Sequence, residues 1–158
     1  MTDLTQTQAQ DDLPVVTIYT DGACEPNPGP GGWAALLRFK SHEKVLTGSV
    51  LDTTNNRMEL TAAVEALTAL KQSCKVYFHT DSEYLKRGIT EWMPNWRSRN
   101  WRRKGGELAN VDLWQALDRA IQLHLIEWRW VRGHAGDRDN HRVDRLAHRS
   151  IPKAHLSK

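Results

Sequence analysis

Long apolar runs are missing from this sequence. No stretch approaches the ~20 apolar residues that a membrane-spanning helix needs, so no span and no membrane partner are expected. Thiols are scarce as well. Cys24 and Cys74 stand far apart and form no C-x-x-C pair, which argues against a zinc site or a redox motif and leaves reduced thiols as the expectation. The start, "MTDLTQTQAQDD", has no basic segment followed by an apolar stretch. A secretory signal is therefore not expected, and the chain reads as cytoplasmic. Internal repeats and low-complexity tracts are absent too.

What is present fits one domain. A chain of 158 residues can bury roughly two thirds of its unfolded surface without disulfides. Hydrophobic content of 39% in a regular pattern reads as globular. Residues 1–13 are polar and aperiodic and read as a disordered leader, 14–150 as the domain, and 151–158 as a flexible basic tail. The net charge is only +3, but the pI is about 9.0 and the charge is uneven. Five basic residues and no acidic one lie between Trp92 and Lys104, and eight Lys or Arg face three Asp from Trp128 onward. Clustered cations gain affinity for polyanions by releasing counterions from phosphates; the alternative is a solvated basic face.

Three β-rich runs, Val15 to Thr20, Gly32 to Phe39 and Lys44 to Leu51, are separated by turn signals and predict an antiparallel meander. From Asn55 the period becomes helical, with Met58, Ala62, Ala66 and Ala69 on one face and Thr54 or Asn55 as cap, and the pattern carries a helix to about Gln72. "KVYFHT" predicts a further strand, "SEYLKRGIT" a short helix, "VDLWQALDRAIQLH" a helix and "LIEWRWV" the last strand; a helix over Asp139 to Arg149 closes the domain. A meander followed by crossovers predicts an α/β fold with a mixed five-stranded sheet, three antiparallel strands and then parallel ones, flanked by helices.

Two strands end alike, "IYTDG" at Asp21 and "FHTDS" at Asp81. Parallel strands joined by a helix bring both aspartates to the carboxyl edge, where ligand crevices form in open α/β sheets. Like charges at one point repel unless a proton or a cation separates them. Glu59, expected in the first turn of the helix leaving that region, and Asp144, expected near the start of the last helix, would make four carboxylates. Such an oxygen-only set suits magnesium, with manganese as a substitute. Read singly, each acid could instead be an exposed residue favouring a helix dipole.

"TDGACEPNPGPGGWAALL", "TTNNRMELTAAVEAL", "TDSEYLKRGITEW", "NVDLW" and "WRWVRGHAGDRDNHRVDRLA" resemble, in order and spacing, the bacterial type 1 ribonuclease H family over about residues 15 to 149. The resemblance implies a ribonuclease H-like fold and a monomeric endonuclease without an obligate protein partner. Its reaction would be hydrolysis of the RNA strand of RNA–DNA hybrids, largely independent of sequence, leaving 5′-phosphate and 3′-hydroxyl ends. Asp21, Glu59, Asp81 and Asp144 match the family's metal-binding carboxylates, with two Mg²⁺ ions per site and Mn²⁺ as a possible substitute. Asp21 would bridge the ions, Glu59 and Asp81 on one side and Asp144 on the other. His134 matches a loop histidine that assists proton transfer or product release.

For the substrate, Cys24, Asn27, Asn55 and Asn56 match the family's minor-groove contacts, although turn and cap chemistry would also account for Asn27 and Asn55. Thr54 is expected at a DNA phosphate. Glu83 departs from the family's common Gln; an acceptor-only carboxylate there weakens substrate contact or recruits metal. The segment "EWMPNWRSRNWRRKGG", within a stretch of about 91–108, resembles the family's basic protrusion. Trp92 is expected to line the DNA groove with Arg99, Arg102, Arg103 and Lys104 near phosphates, while Trp96 and Trp114 are expected in the core. Another nuclease of the same carboxylate fold would lack the protrusion and the "GHAG" loop. A non-catalytic binding module would be expected to have lost a carboxylate, and all four are present.

Overall fold

The computed structural model describes residues 12–102, 108–132 and 137–153. His134, Arg103, Lys104, most of the leader and the end of the tail lie outside them. Five strands form one sheet in the order β3-β2-β1-β4-β5. Strands β1 (Val15–Cys24), β2 (Gly29–Phe39) and β3 (His42–Thr53) make the antiparallel meander. Strands β4 (Lys75–Thr80) and β5 (Leu125–Trp130) run parallel to β1. This is the mixed sheet of the ribonuclease H-like fold that the sequence predicts.

Side chains alternate between the two faces of a strand. On one face Val16 and Ile18 of β1 and Val76 and Phe78 of β4 pack under α1 (Asn55–Thr68), together with Trp114, Leu117 and Ala120 of α4 (Val111–Ile121). On the other face Tyr19 and Ala23 of β1 and Ala34 and Leu36 of β2 pack under Val143 and Ala147 of α5 (Arg138–Arg149). Between β4 and α4 the chain runs helically as α2 (Glu83–Arg87), a π-helical turn (Gly88–Trp92) and α3 (Met93–Ser98).

Where the structure differs from the sequence reading, three differences bear on the site. β1 does not stop at Thr20: its ladder with β2 continues to Cys24, while its pairing with β4 ends at Tyr19 opposite His79. Asp21 therefore lies inside a strand, at the fork where β1 and β4 part. Helix α1 is capped by Thr54, which accepts from the Arg57 N–H, and ends at Thr68 rather than Gln72. That start puts Glu59 in the second turn, beyond the reach of an N-terminal dipole argument. Asp144 sits in the middle of α5 and not near its start.

Candidate active site

The strand period sorts the acids. Asp21 shares the Tyr19 and Ala23 side of β1, the side covered by α5 and its Asp144, whereas Glu59 comes from α1 across the sheet. The fork lets them meet, because β4 no longer separates the two layers beyond His79. Gly22 makes the close approach possible: a Cβ there would collide with the backbone of Met58 and Glu59. Helix α1 is thus seated directly on β1 beside Asp21.

Oxygens of Asp21, Glu59 and Asp81 all fall within 4.8 Å of one another. Asp144 is not among these three, but it lies close enough to Asp21 for its carboxyl to act on that of Asp21. Asp21 is only 7% exposed. Burial first, then the Asp144 carboxyl and the other neighbouring carboxylates, push its pKa up to about 9. Burial and the Asp81 charge likewise raise Glu59 to about 7, against hydrogen bonds from Ser82 and Asn55 that favour its ionised form. Without a counter-charge the cluster holds protons at neutral pH, and a cation among these oxygens removes the reason to hold them. An all-oxygen donor set of this kind fits a hard divalent ion.

Ser82 is the residue that sequence reasoning passed over. Its hydroxyl donates to Glu59 Oε2 at 2.5 Å while accepting from the Leu85 N–H at 3.0 Å as the cap of α2. One side chain therefore starts the helix after Asp81 and orients Glu59. The signal was present as a small polar residue after Thr-Asp. His148, also passed over, lies with Nδ1 2.9 Å from the Asp144 carbonyl oxygen and 3.6 Å from its carboxylate.

The expected substrate residues fall into two groups. At the turn after β1, Asn27 is exposed and its Oδ1 accepts from the Asn55 N–H at 3.1 Å, tying the turn to the start of α1. Asn56 is exposed beside it. Cys24 is turned toward the carbonyls of Pro26, Gly29 and Thr53, so its thiol serves its own loop. Glu83 is exposed at the first position of α2. Farther away, Trp114 is fully buried, as expected, with its indole N–H donating to the Tyr84 hydroxyl at 3.1 Å. Trp92 and Trp96 are half-buried against Trp114, and the Arg87 guanidinium lies 5.2 Å from the Trp92 ring. Arg99 and Arg102 are exposed beyond α3.

A mixed sheet with helices on both faces and an acidic cluster at the fork of two parallel strands defines a class, the carboxylate-site nucleases of the ribonuclease H-like fold. The ribonuclease H family model matches residues 14–151. Ribonuclease H of Hahella chejuensis is 57% identical over 143 residues, 90% of this chain and 97% of its own length. Ribonuclease HI of Pseudomonas aeruginosa is 58% identical over 137 residues, 86% of this chain and 93% of its own. The solved structure of LC9-RNase H1, a type 1 RNase H with the type 2 active-site motif, superimposes with a TM-score of 0.79 at 35% identity, covering 88% of this chain and 72% of that one. LC11-RNase H1, solved in complex with RNA/DNA hybrid, has the same fold, with a TM-score of 0.66 at 22% identity over 89% of this chain and 99% of that one. The chain belongs to the ribonuclease H family, on its bacterial type 1 branch, and is a ribonuclease H enzyme.

Proposed function

We propose that this enzyme cleaves the RNA strand of RNA–DNA hybrids internally, with little regard to sequence, leaving 5′-phosphate and 3′-hydroxyl ends. The observation that carries the reading is the convergence of Asp21, Glu59 and Asp81 within 4.8 Å, with the Asp144 carboxyl close enough to raise the pKa of Asp21. These four would hold two Mg²⁺ ions, with Mn²⁺ as a substitute. When bound, such a pair supplies an activated water and stabilises charge on the departing 3′-oxygen. No protein nucleophile is needed.

The chain's own groups prepare that chemistry. Asp21, buried at the fork, releases its proton when a cation arrives. Ser82 and Asn55 hold the Glu59 carboxylate in place. Asn27, Asn55 and Asn56, with the Cys24 backbone, form a polar rim beside the acids. There a hybrid's minor groove would present the 2′-hydroxyls that distinguish RNA from DNA. Thr54, Glu83, Trp92, Arg99, Arg102, Arg103 and Lys104 would meet the rest of the duplex. His134 would assist proton transfer or product release, so His134→Ala is expected to lower turnover without abolishing it. The enzyme would act as a monomer in the cytoplasm.

The test is a labelled RNA–DNA hybrid incubated with and without Mg²⁺, beside single-stranded DNA. Metal-dependent fragments with 3′-hydroxyl ends from the RNA strand alone are expected. Intact RNA with retained binding would refute the reading.

A further inference from the structure

Away from the acidic cluster, the outer face of α5 carries a row of arginines. Arg138, Arg142, Arg145 and Arg149 recur at i, i+4, i+7 and i+11 and, with Leu146, line a hollow of about 340 Å³. At a rise of about 1.5 Å per residue the row runs roughly 16 Å along the helix. The core-facing residues Asn140, Val143 and Ala147 lie on the opposite side, so the guanidiniums face solvent. At 3.6 residues per turn, Asp144 projects roughly 130° around the helix from the centre of the row. The row therefore belongs to a different surface from the acidic cluster.

Two features set it apart from an ordinary solvated face. Like charges at i,i+3 and i,i+4 destabilise a helix, and a cation at Arg138, the first residue of α5, opposes the helix dipole. Acids interleaved at those spacings would remove both penalties. Instead, Arg142 pairs with Glu43 of β3 at 2.8 Å, and among the described residues Arg138, Arg145 and Arg149 have no ion-pair partner. The nearby acids are engaged elsewhere: Asp137 caps α5, Asp139 is held by Arg38, and Asp144 faces the site.

We propose that this row is a second nucleic-acid surface that takes the phosphodiester backbone of a strand flanking the duplex at the acidic site. Guanidinium forks match phosphate oxygens, and a row roughly 16 Å long spans several successive phosphates of one strand. A protein partner would require an apolar or aromatic centre, and the row offers only Leu146. The choice of strand rests on the hybrid-cleavage reading above.

Binding is measured by fluorescence anisotropy without divalent metal, using a short RNA–DNA hybrid and the same hybrid bearing a single-stranded DNA extension of about 15 nucleotides. The extension should tighten binding to the wild-type enzyme ~10-fold. In Arg138→Gln/Arg145→Gln/Arg149→Gln that gain should vanish, and the slope of log affinity against log salt for the extended probe should fall by about 2, some 0.7 for each lost single-strand contact. Cleavage of the short hybrid should keep its kcat/KM, and the corresponding triple Lys variant should keep the gain. Should the triple Gln variant not fold, Arg145→Gln and Arg149→Gln alone should each lower the slope by about 0.7. Equal tightening in variant and wild type, an unchanged slope, or an equal loss on the short hybrid would overturn the proposal. Displacement of the extended probe's gain by an acidic polypeptide but not by single-stranded DNA would assign the row to a protein and overturn it too. Failure of the wild-type enzyme to cleave the short hybrid in Mg²⁺ would refute the hybrid-cleavage reading instead.

Discussion

Asp21 is a carboxyl surrounded by carboxyls and shielded from water, and its titration should govern the metal-free protein. Its folded pKa of about 9 stands above the ordinary 3.8, so the folded state binds the extra proton. The associated stability is complete below about pH 4 and is lost as pH rises toward 9; Glu59, raised to about 7, acts in the same direction. The unfolding free energy of chelator-treated enzyme should therefore fall between about pH 5 and pH 8, by up to ~1.4 kcal/mol per pH unit for each such group, and its melting temperature with it. Mg²⁺ should suppress the fall, and Asp21→Asn should flatten it while lowering kcat on the order of 10³-fold. A pH-independent melting temperature would contradict the burial argument. Ser82 makes a second case at this scale. Ser82→Ala leaves Glu59 without its hydroxyl donor and should weaken Mg²⁺ activation about 10-fold, as losses of orienting groups around metal ligands do; titrating activity against Mg²⁺ measures it. The meeting of Asp21 with Asp81 was legible in their matching strand ends, but the partner of Ser82 was not. "TDS" shows a hydroxyl after an acid, but Glu59 lies 23 residues away.

At the scale of elements, β4, β5 and the helical spacing of α4 and α5 were legible because each has a clear period, with one face buried in β4, α4 and α5 and half-buried in β5. β1 was misjudged at its end, since apolar residues stop at Tyr19 while backbone pairing to β2 continues through small residues to Cys24. Side-chain pattern reports what is buried, and here the backbone ladder outlasts it. The stretch from α2 to α3 hides another such contact. Gly88 lies against the ring of Trp114, and an added Cβ would overlap it. Gly88→Ala should cost ~1–3 kcal/mol by overpacking, seen as a lower melting temperature with kcat retained well below it. An unchanged melting temperature would mean that the π-helical turn gives way freely.

At the scale of the molecule, the described residues divide charge between separate places in the fold. Acids gather at the fork of β1 and β4, while arginines end α3 and cover the outside of α5. Neutralising Arg102, Arg103 and Lys104 together should raise KM for a hybrid and flatten its salt dependence by about 0.9 for each lost phosphate contact, with kcat nearly unchanged. A fall in kcat alone would place these residues in the chemistry rather than in substrate capture.

The sequence by itself determined the mixed α/β fold, the four acids worth watching and the basic segment after α2, because periodicity, strand-end motifs and charge runs are local properties. Only the tertiary structure decided that Glu59 crosses from the α1 layer to meet Asp21, that Ser82 orients it, and that Gly22 lets the helix come so close. It also decided that Trp96, expected in the core beside Trp114, stays half-buried, and that Arg138, Arg145 and Arg149 share one outer face with no ion-pair partner among the described residues. The physical reason is the same throughout: contact, burial and the electrostatic conflict they create belong to pairs of residues distant in the chain.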